Sequence, residues 1–180
     1  RTEKHRIWIK LSEGKNKHNQ ILLGYIENAT NDLDFGYDGK LLNNGNSAIY
    51  SLVNNNELVI QGKGLPFTDD DVIPLGFTSQ NSGLFTISLG EKDGLFTNQS
   101  IYLKDNVTNS VIDLTQNNHT FMANAETINN RFEIIFKTTL SNNDSEVSGN
   151  EIIAFNANNV LMIKSSIANI KSVTAYDVLG

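Results

Sequence analysis

The sequence predicts an all-β protein: an antiparallel β-sandwich or jelly roll, followed by the first strands of a small immunoglobulin-like β-sandwich. Three observations carry that expectation. Apolar residues alternate with other residues along many short segments, the period of a half-buried strand. Asparagine doublets lie between those segments; Asn bonds its own backbone and tolerates left-handed angles, so doublets mark turns. Nowhere does a helical period of 3.6 persist over about ten residues. Many short strands separated by turns make a sandwich rather than a bundle.

Along the chain, Ile7, Ile9 and Leu11 alternate with Arg6, Trp8 and Lys10 and form the first strand. Leu58 and Ile60 alternate with Val59 and Gln61, which places Ile60 on the core face. Phe85, Ile87 and Leu89 alternate with Thr86 and Ser88, and Ile101 and Leu103 with Tyr102 and Lys104. The clearest case sets Phe132, Ile134 and Phe136 against Glu133, Ile135 and Lys137. The Asn runs at 43–44, 54–56, 117–118, 129–130, 142–143 and 158–159 read as turns. Pro66 and Pro74 flank an acidic excursion between two strands, where missing amide donors do no harm. Its tip, Asp69-Asp70-Asp71, carries adjacent like charges and is expected to sit in solvent. The polar run 141–149 ends in Gly149 and reads as a linker between an all-β module at 1–140 and a tail at 150–180. In the tail, 151–156, 160–165 and 171–178 read as strands with links too short for a crossover helix, so neighbours run antiparallel.

Composition narrows the function. With 39% hydrophobic and 19% charged residues, the 180-residue chain is globular. A net charge of −6 and scattered lysines argue against a nucleic-acid partner, since no basic stripe is available for phosphates. The absence of cysteine excludes disulfides, thiolate catalysis and Cys-ligated metals. No apolar run is long enough for a membrane-spanning helix. The opening Arg1-Thr-Glu-Lys-His-Arg6 reads as the cut edge of a longer precursor whose targeting signal lay upstream.

Candidate sites are few. Asp32, Asp34 and Asp38 surround a glycine turn and could offer oxygens to Ca²⁺, a cation that takes six to eight. The competing reading is an Asp/Gly turn whose side chains bond the backbone. Trp8 shares a strand face with Arg6 and Lys10, opposite the core set; it could stack on a sugar or be covered by a neighbouring strand. His5, His18 and His119 lie far apart in or near polar loops, with no zinc spacing. No nucleophile elbow or phosphate loop occurs. Glu57 and Glu133 could pair as any two carboxylates might, and nothing selects them.

The closing run Val173-Thr-Ala-Tyr-Asp-Val-Leu-Gly180 resembles the type A C-terminal sorting domain of the type IX secretion system of Bacteroidota. Lys171, Val173, Ala175, Tyr176, Asp177, Leu179 and Gly180 fall on its pattern of Lys, x, Val, x, Val or Ala, Tyr, Asp, x, Leu, Gly. The match covers the front half of that domain. Residues 1–140 resemble a module that precedes such domains in flavobacterial surface proteins. The matching runs are 58–67, Asp69-Asp70-Asp71, 72–77, 83–87, 93–96, 101–105, Thr120-Phe121 and Asn130-Arg-Phe132. The resemblance implies a non-enzymatic cargo or stalk, exported through the periplasm to the outer cell surface, in a group that includes adhesins linked to gliding. Its implied partners are an outer-membrane shuttle barrel of the PorV kind and an SprA-like translocon, with no cofactor. Lys171, Val173, Tyr176, Asp177, Leu179 and Gly180 would carry the recognition. A different class stays open: a carbohydrate- or protein-binding, adhesin-like sandwich using loops 28–46 and 66–74, with Ca²⁺ or Trp8 helping. An enzyme is the third choice, since jelly rolls also host glycoside hydrolases.

Overall fold

The computed structural model describes residues 4–42, 45–138, 152–157, 160–165, 170–172 and 174. The chain forms two compact units, Arg1–Lys137 and Thr138–Gly180. In the second, β-strands 152–157 and 160–165 pair antiparallel from Ile152↔Ser165 to Ala157↔Val160, as the sequence predicts. The expected third strand at 171–178 lies largely outside the described residues.

The first unit is all-β. Its strands are β1 (His5–Glu13), β2 (Asn16–Ile26), β3 (Gly39–Lys40), β4 (Ala48–Val53), β5 (Asn56–Gly64) and β6 (Val72–Thr78). They continue as β7 (Gly83–Lys92), β8 (Tyr102–Asp105), β9 (Ser110–Asp113), β10 (His119–Ala123) and β11 (Thr127–Ile135), with one 3-10 turn at Gly94–Phe96. They form one sheet in the order β10-β7-β1-β2-β5-β4-β6-β11-β8-β9, with β3 also on β5. The sheet folds back on itself at β5, which pairs β4 through 56–58 and β2 through 60–64. Its halves then face each other as a nearly closed sandwich. Phe77 of β6 meets Phe85 of β7 at 4.9 Å and Phe121 of β10 at 5.2 Å between ring centroids. At the fold, the Asn19 amide pairs with both the carbonyl and the N–H of Ile49, serving as a rung where β2 pairs with β1 but not with β5.

The core is built by the predicted alternation. Ile7, Ile9, Leu11, Phe85, Ile87, Ile101, Leu103, Phe132, Ile134 and Phe136 are all buried. Burial of such side chains contributes about 1.5–3 kcal/mol each. At one end, Tyr25, Phe67, Phe96 and Phe136 form an aromatic cluster with centroids 4.9–6.2 Å apart. Both ends of the unit reach this pole: Leu95 N donates to His5 Nδ1 at 3.1 Å, and Gln99 Nε2 donates to the Phe136 carbonyl at 2.8 Å.

The structure corrects several expectations. The sheet is mixed, because β2 and β5 run parallel from Leu22↔Ile60 to Ile26↔Gly64; the long connection between them permits a crossover. On β5 the faces switch: Ile60 is 43% exposed, whereas Gln61 is 4% exposed and Lys63 is buried. Against β3, one step from Gly39 to Lys40 spans Ile60 to Leu58, a bulge whose extra residue inverts the alternation. Pro74 lies inside β6, beyond the last β4 partner, so its missing N–H leaves no rung empty on that edge. Of the Asn runs, Asn54-Asn55 forms a tight hairpin turn with φ of 47° and 64°. Asn129-Asn130 instead lies within β11, at a register shift against β6.

Candidate functional site

The outward face of β7, β1 and β2 carries the polar and aromatic partners of the core residues. Register sets Ser88, Lys10 and Gln20 in one row, Trp8 beside Leu22 in the next, and Arg6 beside Gly24 in a third. Two hollows lie on this face, on either side of the Trp8 row. One, of about 240 Å³, is mostly apolar and is lined by Arg6, Leu22, Ile26, Tyr37 and Ile60 around Gly24. The other, of about 480 Å³, is lined by Lys10, Ser12, Lys17, Gln20 and Ser88.

Trp8 sits where the sequence placed it, opposite the core, and is half-buried. The Arg6 guanidinium lies 4.7 Å over its ring and is fixed in turn by Asp93. Asp93 accepts from Arg6 N and Nε, each at 2.9 Å. Hydrogen bonding from Arg6 holds the Asp93 carboxyl below its ordinary range and raises the guanidinium correspondingly. Tyr37 walls the apolar hollow by packing over Gly62. A Cβ there would lie 2.7 Å from Tyr37 Cβ, so a side chain at 62 would displace the wall.

The predicted acidic loop serves that wall. Asp38 accepts from Gly62 N at 2.8 Å and from Asp34 N at 2.7 Å, and the Asp34 carboxylate accepts from Thr30 N at 2.5 Å. The Asp32 carboxylate accepts from Asn54 Nδ2 at 3.1 Å. Among the described residues no three such side chains converge as a metal site. At the loop tip Phe35 is 88% exposed.

At the acidic tip, Asp69 and Asp70 are exposed as expected, and Asp71 is half-buried. Asp71 accepts from the Tyr25 hydroxyl at 2.7 Å and lies 3.8 Å from Lys63 Nζ, while Asp70 pairs with Lys137. Burial, then the bond to Asp71, pushes the Tyr25 phenol far above its usual range. The histidines lie at strand positions next to loops: His5 and His119 begin β1 and β10, and His18 is the third residue of β2.

Sequence reasoning missed the densest polar cluster. Asp105, fully buried at the end of β8, accepts from Arg131 Nε at 3.1 Å and Nη2 at 2.9 Å. It also accepts from Val107 N at 3.0 Å and Thr108 N at 3.4 Å, and lies 3.0 Å from His119 Nε2. The Arg131 guanidinium lies 4.8 Å from both the Phe121 and the Phe132 ring, which pack edge-to-face on each other at 4.7 Å. Burial pushes the Asp105 carboxyl up, but the Arg131 and backbone bonds outweigh it and hold it at about 2. The cluster ties β10 to β8 and β11, near the closure of the sandwich. Its residues fall in or beside the runs 101–105, Thr120-Phe121 and Asn130-Arg-Phe132. These runs share one role, sealing the sandwich, which only their meeting in space reveals.

Of the sorting residues, Lys171 is exposed. Val173, Tyr176, Asp177, Leu179 and Gly180 lie outside the described residues. Among the described residues no helix is long and apolar enough to cross a membrane.

Fold and site together define an all-β sandwich domain with an ion cluster sealed inside and two hollows on an outward sheet face. Within that class, the chain belongs to the family described as Domain of unknown function (DUF8693), matched over residues 1–136. No curated protein and no solved structure matches it.

Proposed function

We propose that the chain is a non-catalytic cargo or display module of a cell-surface protein, exported by a type IX system that reads its C-terminal segment. The observation that carries this reading is the sorting-domain pattern from Lys171 to Gly180, which follows a β-hairpin (152–157 and 160–165) in a unit distinct from 1–137. Recognition of a folded strand cluster by shape and a few side chains requires no catalytic group. The partners are an outer-membrane shuttle barrel of the PorV kind and an SprA-like translocon; the destination is the outer surface. Support also comes from the Asp105 cluster, whose five donors leave the carboxylate saturated by structural contacts. The test is export of a fluorescent protein carrying the complete sorting region. The parent fusion is expected outside the cell and the Y176A/D177A variant in the periplasm; normal secretion of that variant would refute these residues as the address.

A second reading, a carbohydrate-binding adhesin-like sandwich, is favoured by the two hollows flanking the Trp8 row. In it, the module binds a surface ligand after export.

A further inference from the structure

We infer that the polar hollow on β7, β1 and β2 binds an anionic polysaccharide, a chain bearing carboxylates on its sugars, without a bridging metal. The inference rests on the second reading above and names its ligand class.

Three observations lead there. First, the hollow is lined by Lys10, Lys17, Ser12, Gln20 and Ser88: two cations, two hydroxyls and an amide on one face of three paired strands. Second, among the described residues none of these five side chains forms a hydrogen bond or ion pair, although each has full capacity to do so. Five other cations are paired: Arg6 with Asp93, Lys63 with Asp71, Lys104 with Glu133, Arg131 with Asp105 and Lys137 with Asp70. The neighbouring acid, Glu13, lies 3.4 Å from His18. A positive hollow with unspent donors therefore stands on a chain of net charge −6. Third, the adjoining row presents Trp8 and Leu22, half-buried, as an apolar flank.

These features select among anions. Lys10 pairs with Gln20, and Ser12 with Lys17, so the two lysines stand one strand apart and two residues along. Strand spacings place their Cα atoms roughly 8 Å apart, so both ammonium groups can reach carboxylates on a bound chain. Hydroxyl and amide groups between them match sugar hydroxyls, and the Trp8 row suits the apolar C–H face of a pyranose. The surface needs no closure on binding, since strands on both sides of β1 hold it.

The test uses the full chain, with EDTA present, titrated against polygalacturonate, fully methyl-esterified polygalacturonate and dextran. Binding to polygalacturonate is expected, weakened at least tenfold by esterification, with none to dextran. K10Q/K17Q is expected to weaken binding at least tenfold at an unchanged melting temperature, while K40Q, on β3, leaves it unchanged. Absence of polygalacturonate binding, an unaffected K10Q/K17Q variant, or equal binding of the esterified polymer overturns the inference. So does equal affinity for duplex DNA or phosphatidylserine vesicles, which would make the hollow a general polyanion patch. Because the readout is binding and not export, either result leaves the sorting test separately decidable.

Discussion

Replacing Asp105 with alanine probes the closure of the sandwich directly. Asp105 is fully buried and receives five donors, and the Arg131 side chain that faces it is only 11% exposed, packed against both Phe121 and Phe132. Removing one partner of such a pair leaves an uncompensated buried charge and typically costs about 3–5 kcal/mol. For a unit of this size that lowers the melting temperature by roughly 10–20 °C. Trp8 is the one tryptophan in the chain and lies in β1, so its fluorescence during urea unfolding of the full chain reports on the first unit. The D105A/R131M variant removes the cation as well while keeping apolar bulk against the two rings. Its cost is expected to fall short of the sum of the single changes, with a coupling of about 1.5–3 kcal/mol. A D105A cost below about 1 kcal/mol, or additivity within error, would refute the role of Asp105 as the neutralising centre of that cluster.

Two further outcomes follow from burial and charge. Phe136→Ala is expected to destabilise by roughly 3–5 kcal/mol, because its ring packs against Tyr25, Phe67 and Phe96, whereas Ile135→Ala on the other face costs much less; equal losses in urea titrations would contradict the face assignment. Stability should also be lost at both extremes of pH. The depressed Asp105 carboxyl stabilises the fold above the unfolded-state value near 4, and that contribution falls away as pH drops toward 2. The Tyr25 and Tyr50 phenols, raised chiefly by burial, contribute stability that is present below about pH 10 and lost as pH rises beyond it, when the unfolded phenols ionise first. Unfolding midpoints measured from pH 2 to pH 12 check both limbs, and a midpoint flat across either limb would contradict it.

How much was legible in the sequence depends on the range of the interaction. Strand character is local: a period of two over five residues assigned the buried set Ile7, Ile9, Leu11 and the set Phe132, Ile134, Phe136 correctly, along with the outward position of Trp8. Asn54-Asn55 as a hairpin turn was likewise readable, because the required left-handed angles are a property of those residues. The β5 faces were not, since the bulge beside β3 arises from pairing with a segment some twenty residues away and inverts every side chain beyond it. Pairing of β2 with β5 in parallel depended in the same way on the path of the intervening chain. The polar groupings belong wholly to the tertiary structure. Asp105 meets a histidine 14 residues away and an arginine 26 away, and Lys10 and Lys17 join Ser88 across three strands. Alternation along a strand states which way a side chain points; only the sheet order decides what it will face, because neighbours across a ladder come from anywhere in the chain.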